Sequence, residues 1–140
     1  MRRVVGILAS LVVVSVLALH AQDAAAALQG RWVVTGAEHN GKPMNGLNGG
    51  VMTVTGTAFE IRTASGNVLK GTLRLDATKR PFQVDLVHAD GTQWEAIYDV
   101  TGETFRLNYV EKGLKDPRPT AFATSPTTEE SLIVLRRDAK

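Results

Sequence analysis

From Gly30 onward, apolar and polar residues alternate in short runs, and turn residues separate the runs. A period of two sends successive side chains to opposite faces of an extended chain, so this pattern builds half-buried strands and not helices. In residues 68–75, Leu69, Leu73 and Leu75 share one face with Gly71 between them, while Lys70, Thr72 and Arg74 share the other. Residues 30–38 place Trp32, Val34 and Gly36 together. Residues 57–63 set Phe59 and Ile61 against Glu60 and Arg62, and residues 82–87 set Phe82, Val84 and Leu86 against Gln83 and Asp85. Trp94, Ala96, Tyr98 and Val100 line a further strand, and Phe105, Leu107 and Tyr109 the next; residues 51–55 and 131–137 add two more.

The punctuation is that of hairpins. Asn40-Gly41, Ser65-Gly66-Asn67, Asp90-Gly91 and Thr101-Gly102 supply residues that tolerate positive φ, and Pro43 cannot donate to a ladder. About eight strands joined in sequence predict an all-β fold: an antiparallel up-and-down barrel, with a β-sandwich as the alternative. Closure into a barrel removes exposed strand edges, which suits a chain without disulfides to staple it. Residues 111–130, with Pro117, Pro119 and Pro126, break the pattern. A connection of that length is expected to be a lid or an unstructured stretch, with a short edge strand over 120–124.

Residues 1–26 read differently. Arg2 and Arg3 precede an apolar run from Val4 to Leu19, and small residues follow up to Ala24-Ala25-Ala26-Ala27. Positive, apolar, then small is the layout of a secretory signal peptide, and the run is shorter than the roughly 20 residues a spanning helix needs. Cleavage after Ala26 satisfies the small-x-small rule, and cleavage after Ala21 is the alternative. The expected product is a single domain, residues 27–140, without a membrane span, released outside the cell or held in the periplasm or cell envelope. With no cysteine in the chain, a lipid-modified N-terminal cysteine is excluded.

Loss of the leader takes Arg2, Arg3 and Asp23 from 16 basic and 14 acidic residues, leaving 14 and 13. So even a balance argues against a nucleic-acid partner, which needs clustered Lys and Arg. Of the histidines, His20 leaves with the leader, and His39 and His88 sit beside turns with no ligand-like neighbours in sequence. Zinc sites need three or four ligands in register, so neither a metal nor another cofactor is expected. No serine lies in a nucleophile-elbow pattern, and Gly46–Gly50 lacks the lysine and helix of a phosphate loop. Asp85 and Glu95 face each other across the Asp90-Gly91 hairpin, but alternation puts both on the outer, solvated side. The expectation is a protein that is not an enzyme.

Five segments taken in order carry a resemblance: Leu28-Gln29-Gly30-Arg31-Trp32, Asp76-Ala77-Thr78-Lys79-Arg80-Pro81, residues 96–107, Pro117-Arg118-Pro119-Thr120-Ala121-Phe122, and Leu132-Ile133-Val134-Leu135-Arg136-Arg137. Together they resemble an uncharacterised family of small secreted domains expanded in planctomycete bacteria, across residues 28–137. That family has no established activity, so the resemblance implies a fold and no chemistry. Asn108 stands where the family pattern carries cysteine, so no thiol-based role carries over. Gly30-Arg31-Trp32 also resembles the Gly-x-Trp start of lipocalins, where the tryptophan closes the barrel floor against an arginine. The resemblance implies Arg118, Arg136 or Arg137 as that partner.

Two roles stay open at this point. A packed core suits a structural or protein-interaction domain of the cell envelope. A cavity at one barrel end, with room left by Gly36, Gly71 and Ala96, suits the binding of a small apolar molecule. Trp32, Trp94, Tyr98, Tyr109 and Arg118 would then be the ligand-binding residues, large rings with a few polar handles.

Overall fold

The computed structural model describes residues 24–138; the leader read over residues 1–26 falls largely outside them, and residues 24–28 form a helical turn. Nine strands follow: β1 (Gly30–His39), β2 (Lys42–Pro43), β3 (Val51–Thr55), β4 (Ala58–Arg62), β5 (Val68–Asp76), β6 (Phe82–His88), β7 (Gln93–Thr101), β8 (Thr104–Glu111) and β9 (Ser131–Arg137). Every pairing is antiparallel, and β1 pairs with β3 on one side and β9 on the other. That contact closes β1 and β3–β9 into an eight-stranded up-and-down barrel and sets the sandwich aside; β2 is a short ribbon beyond the end of β1. Among the described residues no helix is long and apolar enough to cross a membrane.

Alternation supplies the interior. Trp32, Val34, Phe59, Leu73, Val84, Leu86, Ala96, Tyr98, Phe105 and Leu107 are buried in one core with Leu28, Met52, Val54 and Leu135, which the sequence reading did not place there. At Gly71 the room that the cavity reading would use is taken. A Cβ on Gly71 would lie 2.1 Å from the Val87 carbonyl oxygen and 2.8 Å from the Phe59 ring, so that ring already occupies the space. Ala96 is wholly buried. Gly36 does not share a face with Trp32 and Val34, because a bulge between Val34 and Gly36 shifts the β1–β9 register. An extra residue at a bulge reverses the in–out phase beyond it. Ala37 and His39 therefore pair with the inward residues Ile133 and Ser131, and Glu38 is turned outward.

The long connection is a strap on the outer wall; it is neither a lid nor an edge strand. Arg118 reaches β6 and β7, with Nη2 2.6 Å from Asp85 Oδ1 and Nη1 donating to the carbonyls of Val84 (3.1 Å) and Ala96 (2.9 Å). Asn108 on β8 shares its Nδ2 hydrogens among the carbonyls of Ala121 and Ala123 and the carboxylate of Glu130. Those carbonyls bond a side chain and not a neighbouring strand, and no strand forms over 120–124. Arg106 lies over the Phe122 ring, and Thr124 donates to Glu38 on β1. Beneath the strap, Ile97 and Val110 are 1% exposed although both point outward, so they form a second, smaller apolar layer.

Candidate functional site

The two barrel ends differ. At the lower end, where β1 begins and β9 finishes, the helical turn brings Leu28 into the core, and its carbonyl accepts the Trp32 indole N–H at 2.9 Å. Arg137 lies 4.1 Å above the Trp32 ring and donates to the carbonyls of Gln29 (2.7 Å) and Ala27 (3.2 Å). Of the three arginines the Gly-x-Trp resemblance allowed, the β1–β9 register selects Arg137, since it pairs with Trp32 directly. Arg80 covers the Phe82 ring at 4.4 Å on the same end. This end is a floor.

The upper end is walled by aromatic rings. Trp94 and Tyr109, diagonal neighbours on β7 and β8, stack with centroids 4.1 Å apart and planes 9° apart, and both are only partly buried. Trp94 also meets His88 edge-on at 4.3 Å, and His88 meets Phe59 at 5.3 Å and 89°. Leu47, Ile61 and Ile133 complete the rim, each partly buried. Partly buried rings therefore line this end of the barrel, above the buried core.

Polar groups reach the mouth from one side. The bulge in β1 turns His39 inward, where its Nδ1 is 2.8 Å from Ser131 Oγ and its Nε2 is 3.4 Å from Glu129 Oε2. Ser131 stands directly across from Tyr109 on the neighbouring strand, and burial raises the pKa of the Tyr109 phenol. The His39–Ser131 contact joins residues 92 positions apart, through a register that no local pattern encodes. A hydroxyl, an imidazole and a carboxylate thus form a polar row beside the Tyr109 ring. On the opposite side His88 is 6% exposed, and its Nε2 has no hydrogen-bond partner. Burial lowers the His88 pKa, so the ring is neutral at pH 7.

The five residues singled out from sequence thus separate. Trp94 and Tyr109 come together at the mouth. Trp32 is in the floor, fully buried. Tyr98 is 2% exposed in the lower half beside Phe82 and Phe105, its hydroxyl unpaired and its pKa pushed up to about 12 by burial. Arg118 is on the outer wall, bonded to Asp85 and within 3.7 Å of Glu95, the facing pair that alternation placed outside. A groove of about 330 Å³ beside it is lined by Arg74, Asp76, Gln83 and Asp85 and opens away from the interior. His39, His88 and Ser131 are the mouth residues that sequence reading missed. For His88 a signal existed: Asp90-Gly91 fixes the hairpin, and counting on by two from the inward Leu86 puts His88 inside.

No family model matches the chain, and no curated protein matches it. Among solved structures, a de novo designed fluorescence-activating β-barrel is similar at 16% identity and a TM-score of 0.48, over 83% of this chain and 98% of that one.

Proposed function

We propose that the protein is an exported binding module that takes a small, flat, largely apolar molecule at the upper mouth of the barrel and holds it against the Trp94–Tyr109 pair. The observation that carries this reading is the asymmetry of the two ends. One is sealed by Leu28, Trp32 and Arg137, while the other leaves a stacked aromatic pair partly open beside the Ser131–His39–Glu129 row. Rigid aromatic walls with few polar groups are the usual make-up of a small-molecule site. The filled interior limits the guest to one or two rings seated at the rim. Export through residues 1–26 belongs to the same proposal and places the site in the periplasm, the envelope or the medium.

Neutral N-phenyl-1-naphthylamine tests the reading in a Trp32→Phe background, where Trp94 is the only remaining tryptophan. Saturable probe binding with energy transfer from Trp94 is expected, weakened at least about tenfold by Trp94→Ala, since a stacked aromatic wall carries a large share of such binding. Binding that is absent, or that Trp94→Ala leaves intact, removes the mouth as the site.

A second reading, acyl transfer at Ser131, is favoured by one observation: the Ser131–His39–Glu129 order is that of an activated hydroxyl nucleophile. An alkyl fluorophosphonate decides it. Ser131 Oγ would displace fluoride from phosphorus while His39 takes the hydroxyl proton, leaving a phosphonyl adduct on Ser131. No adduct, or one that persists in Ser131→Ala, ends this reading.

A further inference from the structure

We infer that the guest at the mouth is an aromatic alcohol, a neutral phenol-like molecule whose hydroxyl pairs with Nε2 of His88. The inference rests on the mouth reading above and specifies its ligand class. His88 is 6% exposed, and its Nε2 is sealed in without a partner. Native structures retain few such atoms, because an unpaired buried polar group costs stability. The fold does not need an imidazole here. The His88 main chain is satisfied by itself, its N–H donating to Thr92 and its carbonyl accepting from Gly91. The neighbours of the ring are the apolar faces of Phe59 and Trp94, which a phenylalanine or leucine would serve as well.

Beside the ring lies a hollow of about 280 Å³, lined by Val68, Leu69, Lys70, His88, Ala89 and Asp90, its walls more apolar than polar. It opens at the rim between the upper ends of β5 and β6, and this is the side from which the proposed guest approaches the imidazole. A neutral imidazole carries one N–H and one lone pair, and a hydroxyl both donates and accepts, so it pairs with Nε2 in either tautomer. A carboxylate only accepts. It would also meet the negative charges of Asp90 and Glu111, which both act on His88. Lys70 and Asp90 at the edge of the hollow leave no net charge to attract an ion of either sign.

Two probes of one shape separate the hydroxyl from the hydrocarbon: 2-naphthol and naphthalene, titrated calorimetrically into the protein at pH 7.5. Wild type is expected to bind 2-naphthol about tenfold more tightly than naphthalene, the effect of giving a buried polar atom its partner. In His88→Phe, and in His88→Leu should phenylalanine overfill the site, the preference is expected to vanish or invert while naphthalene still binds. Equal affinities in wild type, or a preference that survives in both variants, overturn the alcohol. Failure of wild type to bind either probe overturns the mouth reading itself, and this inference with it.

Discussion

Gly71→Ala is expected to cost about 4 kcal/mol or more, enough to remove much of the stability of a domain of this size. The substitution adds one methyl group, and in most strands it would be neutral or mildly favourable. Here the new Cβ would sit 2.1 Å from the Val87 carbonyl oxygen, 2.8 Å from the Val87 carbonyl carbon and 2.8 Å from Phe59 Cε1. The phenyl ring can swing, but the carbonyl belongs to the β6 backbone, so relief requires β5 and β6 to separate where Gly71 pairs with His88. Overpacking against backbone is the severe form of the small-to-large penalty. Gly36→Ala is the matched control. Nothing lies within 4 Å of its Cβ, and it is expected to change stability by less than about 1 kcal/mol, through the entropy of the unfolded chain. Urea unfolding followed by tryptophan fluorescence compares the two. A Gly71→Ala protein within about 1 kcal/mol of wild type would mean that the close approach of β5 and β6 is not a structural requirement.

The same glycine shows what a sequence can and cannot disclose. Gly71 is visibly on the inward face, between Leu69 and Leu73, and from the pattern alone it reads as empty space. Whether that space is a cavity or the seat of a ring depends on which residue of β4 stands opposite. The register gives Phe59. Hairpins were legible because each is a local contract between two or three turn residues, and the pairing of Asp85 with Glu95 follows from counting outward from Asp90-Gly91. The bulge after Val34 was not legible. It answers to how β1 must bend to meet both β3 and β9, and it carries His39 from the outer face to the mouth. The strap was hidden for a related reason. Its carbonyls are satisfied by the side chain of Asn108, and a strand pattern has no way to announce that partner. The site was therefore half readable: Trp94 and Tyr109 follow from alternation, while the polar groups beside them arise from closure of the barrel.

Trp32→Ala is expected to cost about 3–5 kcal/mol, the range for emptying a large aromatic site in a core. Trp32 is wholly buried, meets Phe105 edge-on at 5.3 Å and gives its indole N–H to Leu28. Its loss strands three things at once: the Leu28 carbonyl, the contact face of Phe105 and the apolar seat of the Arg137 guanidinium. The arginine separates the cavity term from the closure term. Arg137→Met keeps the stem over the ring but gives up a cation–π contact of about 0.5–2 kcal/mol and two hydrogen bonds to carbonyls, so a loss near 2 kcal/mol is expected. If the pair acts as one latch, Trp32→Phe and Arg137→Met together should cost less than the sum of the single losses, because each already undoes part of the other's contact. Strict additivity in that double-mutant cycle would mean that the guanidinium holds the helical turn through its carbonyls alone. A defective latch should also change binding in a particular way. With the floor loosened, the lower half of the barrel gains an apolar cavity far from Trp94. Trp32→Ala is therefore expected to take up N-phenyl-1-naphthylamine at a second site that Trp94→Ala does not remove, whereas Trp32→Phe keeps the single site at the mouth. Probe stoichiometry in those two backgrounds distinguishes a barrel closed at one end by design from one that is merely full.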